Sequence, residues 1–325
     1  MYQGDADAEY WDCRTIAIAF RMPRSADIAL LTDGRFTAAE AAADDWYFRN
    51  ILHDDSLLQA ALSALGLTSV RLDWADPTVD WTQFRCAVFR TTWDYFDRFA
   101  EFTAWLERVE RETRLVNAAH TIWWNLDKHY LADLETRGVP VVPSRYLEPG
   151  DGSSLVTLLR EMGWQEAVLK PCVSGAARHT HRVDAANAES LQRELTQLLA
   201  AESFMLQPFV ADITVNGEYT LMVIDGEVTH AVQKVPKAGD FRVQDDHGGK
   251  WTPYTPTAEQ IAFAKRAMQS VTPLPQYGRV DMVRGNDGAW QIMELELIEP
   301  ELWLRTKPEV ATRLAQAIAR DLHLG

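Results

Sequence analysis

Two hydrophobic rhythms alternate along the chain. IALLTD at 28–33, SVRLDW at 69–74 and CAVFRTTWDY at 86–95 are short apolar runs that end in turn residues. They have the length of strands, and the first lacks alternation, as strands buried on both faces do. Between them the spacing becomes helical. Trp46, Ile51, Leu57, Leu58, Leu62 and Leu65 form a stripe ended by Gly66, and FAEFTAWLERVERE at 99–112 is a second amphipathic helix. Strand–helix–strand–helix order predicts a doubly wound α/β unit over about 28–118.

Further on, Asn125 reads as the N-cap of a helix that ends at Gly138, with an extended run from Pro140. LVTLLREMG predicts a helix. EAVLKP, the small-residue loop CVSGAARH and HRV follow, then a helix over 186–201 and the strand SFMLQPFV. From 213 to 297 the pattern is mostly strands, EYTLMVID, EVTHAVQKV, GRVDMV and WQIMELEL, interrupted by a helix over 257–270. An amphipathic helix covers 308–322. The fold class is therefore α/β, passing into α+β in the C-terminal part. Residues 1–25 show no clear period and read as an irregular extension.

Length and composition narrow the field. At 325 residues the chain exceeds one ordinary core and suggests two or three domains. With 47% hydrophobic and 24% charged residues it has the balance of a globular protein, and no apolar run reaches transmembrane length. Asp and Glu outnumber Lys and Arg by 47 to 32, a net charge of −15 that disfavours nucleic acid and anionic membranes as partners. Cys13, Cys86 and Cys172 are scattered, which suits a reducing compartment. The start has no basic segment before an apolar stretch, so a cytoplasmic protein is expected. His179, His181 and His230 lack metal-ligand spacing and receive no role.

The most informative stretch is MELELIEP at 293–300. GRVDMV and WQIMELEL flank an Asp-Gly step, the strongest short hairpin signal. A two-residue turn at Asp287-Gly288 sets Asp281 opposite Glu294 and Arg279 opposite Glu296. The other face then pairs Val280 with Leu295 and Met282 with Met293. Like charges opposed across strands are destabilising. Two explanations stay open: a hard divalent cation on Asp281, Glu294 and Glu296, or a solvated face with an Arg279–Glu296 pair. The third carboxylate, with Val283, Ile292 and Trp290 beside it, tips the reading towards Mg²⁺, with Mn²⁺ as a substitute.

Mg²⁺ with few protein ligands commonly shares them with nucleotide phosphates. No Walker-type or dinucleotide-binding glycine motif occurs. Lys170 does end a strand just before Ser174-Gly175-Ala176-Ala177, where backbone N–H groups can approach phosphate closely. Lys128 lies in the helix assigned to Asn125. Gln207-Pro208-Phe209-Val210 closes a strand, and Lys234, Lys237 and Arg242 form a basic island in an acidic chain. The segment from Arg90 through Trp93 and Asp94 sits at the carboxyl end of a predicted parallel strand, where α/β sheets bind ligands. Taken singly, each reads as well as a surface lysine, a linker or a loop.

Their order along the chain is more specific. Lys128, Lys170 with its loop, Gln207 to Val210, Asp281, Glu294 and Glu296 follow one another as in ATP-grasp ligases. RTTWDYF, NLDKHYL, GVPVVPS, VLKPCVSGAARH, LQPFV, GEYTLMVIDGEVTHAVQKVPKAGDFRVQ and MELELIEP carry the resemblance, over about 28–305. The chain resembles the glutathione-synthetase-like branch, and within it the bacterial ligases that include the cycloserine-forming cyclo-ligase. The resemblance implies a doubly wound domain at 28–120 after the 1–27 extension, a small lobe with a phosphate lid at 121–210, and a large lobe with the metal site at 211–325. It implies that Lys128 and Lys170 contact ATP phosphates under a lid of Ser174, Gly175 and Ala176. Gln207, Phe209 and Val210 would line an adenine slot. Asp281, Glu294 and Glu296 would hold Mg²⁺, and Arg242 and Lys234 would steady the transferring phosphoryl group. Many family members carry Asn where this chain has Glu296, which makes the site more anionic.

The expected activity is ATP-dependent ligation of a carboxylate to an amine or aminooxy group through an acyl phosphate. The substrate is a small amino-acid derivative, ring closure is one form the reaction takes, and ADP is released. Trp93, Arg90, Asp94, Glu218, Arg279 and Glu299 are the substrate-pocket candidates, and the protein is expected as a monomer or homodimer. A noncatalytic nucleotide-binding module and a metal-dependent nuclease are the competing readings. The second lacks its usual Glu-x-Lys, since Glu294-Leu295-Glu296 stands there.

Overall fold

The computed structural model describes residues 26–244 and 247–323. The extension expected at 1–27 lies outside them up to residue 25, as does Cys13. The chain opens with β1 (Ile28–Thr32), α1 (Trp46–Ala64), β2 (Ser69–Asp73), β3 (Cys86–Thr91), α2 (Phe99–Glu112) and β4 (Arg114–Val116). The four strands form a parallel sheet in the order β2-β1-β3-β4, so the doubly wound expectation holds. Every residue of β1 and β3 is buried, which is why IALL and CAVF show no alternation of apolar and polar positions. Asp45 caps α1 by accepting from the Phe48 N–H, and Gly66 ends it at φ +75°.

Next come α3 (Ala119–Asn125), α4 (Tyr130–Thr136), β5 (Arg145–Leu147), α5 (Leu155–Met162), β6 (Glu166–Pro171), β7 (His181–Asp184), α6 (Ala188–Leu198) and β8 (Phe204–Pro208). The strands form an antiparallel sheet, β5-β8-β6-β7, on which Leu155, Leu158 and Leu159 of α5 and Leu195 of α6 pack. Here one expectation fails. Asn125 is not an N-cap but the last residue of α3, and Lys128 lies in the turn between α3 and α4. The Asn125 amide donates to Leu295 O at 2.8 Å and accepts from Leu297 N at 2.7 Å. Two long-range bonds to a buried strand outweigh one local cap.

The remainder holds β9 (Glu218–Ile224), β10 (Glu227–Val235), β11 (Lys250–Tyr254), α7 (Ala258–Gln269), β12 (Tyr277–Arg284), β13 (Trp290–Glu296) and α8 (Val310–His323). The antiparallel order is β11-β10-β9-β12-β13. Strand β11 escaped the sequence pattern because KWTPY is largely polar or exposed. Phe263, Ala264, Ala267 and Met268 of α7 pack against Leu221, Val280, Met282 and Leu295 on one face of this sheet. Helix α8 packs on α1, and Leu314 and Ile318 share a core with Ile28, Leu30, Leu58, Met222 and Ile224. Tyr277 ties the first and third sheets together. Its hydroxyl donates to Ile298 O at 2.8 Å, with Val116 O at 3.1 Å and Phe89 O at 3.3 Å.

Candidate active site

The charged face of the β12–β13 hairpin forms the floor of a cleft of about 580 Å³. Arg279 pairs with Glu296, Val280 with Leu295 and Asp281 with Glu294, as the sequence predicts. The turn is different. The loop spans 285–289, closed by Gly285 N–H to Ala289 O at 2.8 Å, and Arg284 faces Trp290. The register is restored by a bulge between Asp281 and Met282, so that Met282 faces Ile292 and Met293 is extra. Met293 therefore lines the cleft, while Ile292 and Trp290 join Val280 and Met282 on the α7 face.

The acids do not face one another bare. Lys170 Nζ donates to Glu294 Oε1 at 2.9 Å, and Lys128 Nζ stands 4.0 Å from the same oxygen. Arg279 donates to Asp281 Oδ2 at 2.8 Å and also bonds Glu296. Lys234 lies 3.3 Å from Asp281 Oδ2 and 2.5 Å from Glu218 Oε1. Lys234 is thus a buried β10 residue rather than part of a surface island. The protein's own cations meet the like-charge problem, and the face lines a cleft in which Asp281 is buried while Glu294 and Glu296 stay 26% and 29% exposed.

This pairing sorts the carboxyls into two kinds. Removal from water pushes each pKa up, and neighbouring charges decide the outcome. For Glu294, Lys170 and Lys128 win and bring it to about 2. For Asp281, Arg279 and Lys234 do the same, to about 2. For Glu296, removal from water prevails over Arg279 and leaves it at about 7. Glu299 is lifted to about 8 by removal from water and by Glu296, and Glu218 to about 6 by burial against the pull of Lys234. The floor thus carries two firm anions beside groups that hold or release a proton near neutrality.

Strand β6 and the loop after it close one side of the cleft. Lys170 is buried at the end of β6, and Lys128 N–H donates to Cys172 O at 2.9 Å, which sets its side chain beside Lys170. Lys128 Nζ donates to Ser174 O at 2.6 Å, so the loop lies down over the lysines. Gly175 sits against Phe96, where a Cβ would come within 2.5 Å of the ring. Gln207, Phe209 and Val210, at and just after the end of the neighbouring strand β8, line the cleft as well. Gln207 Nε2 donates to Ser144 Oγ at 3.0 Å, Phe209 packs edge-on to Phe241 with Arg182 3.9 Å above its ring, and Val210 packs with Val142, Ile213 and Val283. Arg242 also lines the cleft, its guanidinium 2.8 Å from Asp240.

Two substrate candidates lie elsewhere. Arg90 is buried under α1, its Nε donating to Asp55 Oδ1 at 2.9 Å, in a small recess with Asp54 and Arg305. Asp94 accepts from Trp74 Nε1 at 2.7 Å and pairs with Arg98 at 2.8 Å. Both charges are consumed within the first domain, so the set Arg90, Trp93 and Asp94 does not face one ligand. Trp93 alone reaches the cleft, where its indole donates to Glu299 O at 3.0 Å. Sequence reasoning missed its companions Phe36 and Tyr47, whose rings lie 5.9 Å from that of Trp93. The aromatic cluster RF…WYF in an otherwise small-residue segment was the available signal.

Comparison with known proteins places the chain in a family. Residues 28–117 match the family of the D-cycloserine synthetase DcsG N-terminal domain, and 151–272 match the prokaryotic glutathione synthetase ATP-grasp domain. The chain is 36% identical to the cycloserine biosynthesis protein DcsG of Streptomyces lavendulae over 286 residues, 83% of this chain and 94% of that one. The crystal structure of D-cycloserine synthetase DcsG superposes with a TM-score of 0.79 at 34% identity, covering 91% of this chain and 99% of that one. D-alanine–D-alanine ligase from Bacillus anthracis shares the fold, with a TM-score of 0.61 at 13% identity over 92% of this chain and 97% of that one. The chain is an ATP-binding, ADP-forming ligase of the ATP-grasp fold and belongs to the family of the cycloserine biosynthesis protein DcsG.

Proposed function

We propose that the enzyme activates the carboxylate of a small amino-acid derivative as an acyl phosphate and joins it to an amine or aminooxy nitrogen. Its likeness to the cycloserine protein favours a nitrogen of the same molecule, and therefore ring closure. The observation that carries the reading is the convergence of Lys170 and Lys128 on Glu294, at 2.9 and 4.0 Å. Two lysines and a firm carboxylate facing one cleft are the charges that phosphoryl transfer needs.

In this reading Lys128 and Lys170 leave Glu294 for the phosphates, and Ser174, Gly175 and Ala176 cover them. Gln207, Phe209 and Val210 take the base. The substrate carboxylate attacks the γ-phosphorus and ADP leaves. The nitrogen then attacks the acyl carbon, phosphate leaves, and the nitrogen proton passes to a basic group. Asp281, Glu294 and Glu296 are hard oxygen donors on one face, a set that fits Mg²⁺ or Mn²⁺. Such an ion supplies charge neutralisation at the phosphates. Lys234 orients Asp281 and Glu218, Arg242 borders the transfer region, and Trp93, Glu218, Arg279 and Glu299 border the substrate.

Hydroxylamine trapping tests this. With ATP, Mg²⁺ and an acid substrate, a hydroxamate and ADP are expected together. AMP with pyrophosphate would mean an adenylate and would end the acyl-phosphate reading.

A further inference from the structure

Beyond the lid, the structure gathers residues that the sequence leaves apart. His179 ends the loop over the cleft, His181 begins β7, and Glu194 lies on α6. A ring nitrogen of each histidine and a carboxylate oxygen of Glu194 all fall within 4.8 Å of one another. His181 Nε2 is shut off from solvent and has no hydrogen-bond partner among the described residues. Its nearest carboxylate oxygen, Glu194 Oε1, is 3.6 Å away, too far for a hydrogen bond. Two ligands on one tetrahedral Zn²⁺, with bonds of about 2.0–2.2 Å, stand about 3.4 Å apart. The 3.6 Å separation is close to that of two ligands on one such ion.

We propose that His179, His181 and Glu194 form a site for a divalent transition ion of the zinc type, separate from the carboxylate floor. Two imidazoles and one carboxylate suit such an ion and leave a fourth position for water. The ion fastens the end of the 174–180 loop to β7 and α6. That loop has reason to need fastening, since Ala176, Ala177 and His179 all have positive φ, at 48°, 54° and 46°. A second mixed cluster, Asp127, His129 and Cys172, offers a weaker case. There both ring nitrogens of His129 are already engaged, by Asp127 at 2.5 Å and Glu148 at 2.9 Å.

Calorimetric titration of the full nucleotide-free chain with ZnCl₂, in excess Mg²⁺, tests the site. One Zn²⁺ per chain is expected, bound at least about tenfold more weakly after His181→Gln or Glu194→Gln. Glu194 is half exposed, so its variant folds. Co²⁺ in place of Zn²⁺ should show visible bands without a near-ultraviolet thiolate band. Absence of binding, binding unchanged in both variants, or a thiolate band that places the ion at Cys172 would each overturn the proposal. The titration uses neither ATP nor turnover, so its failure leaves the ligase reading standing.

Discussion

Lys170 on β6 donates to Glu294 on β13 at 2.9 Å and so joins the two sheets that enclose the cleft. In the proposed reading that bond holds Lys170 until a phosphate takes the place of Glu294. Lys170→Met should weaken ATP binding about ten- to a hundredfold, the equivalent of about 1.5–3 kcal/mol for a lost charge-assisted contact. Lys237→Met, in an exposed loop, should change it little. Calorimetry with ATP distinguishes them, and equal losses would mean that only general charge matters.

Asp281 is 2% exposed and neutralises Arg279 and Lys234, themselves 9% and 7% exposed. Facing acids alone suggest that removing one relieves repulsion. The observed pairing reverses that expectation. Asp281→Ala takes one of two carboxylate partners from each of two buried cations, leaving Arg279 to Glu296 and Lys234 to Glu218, and should destabilise the protein by about 1–3 kcal/mol. Urea unfolding of the metal-free protein measures this, and an unchanged or raised midpoint would count against the pairing.

Glu299, Glu296 and Glu218 have pKa values of about 8, 7 and 6 in the folded state, against an ordinary 4.5. Between pH 4.5 and 8 the folded protein therefore binds protons that the unfolded chain has released. These groups contribute stability below the unfolded value and lose it as pH rises through the folded one. The ligand-free Tm should fall from about pH 5 to about pH 8. Glu299→Gln should flatten the upper part of that slope, and an identical slope in the variant would contradict the assignment.

A Cβ at position 175 would meet Phe96 Cε1 at 2.5 Å. Gly175→Ala should hold the loop off Phe96 and, if the loop covers the phosphates as proposed, raise KM for ATP, with an overpacking cost of about 1–3 kcal/mol. Phe96→Leu in the same chain should recover part of it. A double-mutant cycle with no coupling would show that the lid does not seat there.

Local order decided much on its own. Helix α2 covers 99–112, the range that its apolar spacing predicts, because 3.6-residue periodicity is written within one segment. Lys128, Lys170, Asp281 and Glu294, which stand out by their order along the chain, line one cleft. Three particulars needed the tertiary structure. Asn125 is spent on Leu295 and Leu297, 170 and 172 residues away. Arg90 is spent on Asp55 of α1. The acids keep their register only because the Met293 bulge offsets a longer turn. Sequence shows which charges and amides exist, but not which partner takes each one. A buried polar group must find a partner, and folding brings remote candidates as near as local ones.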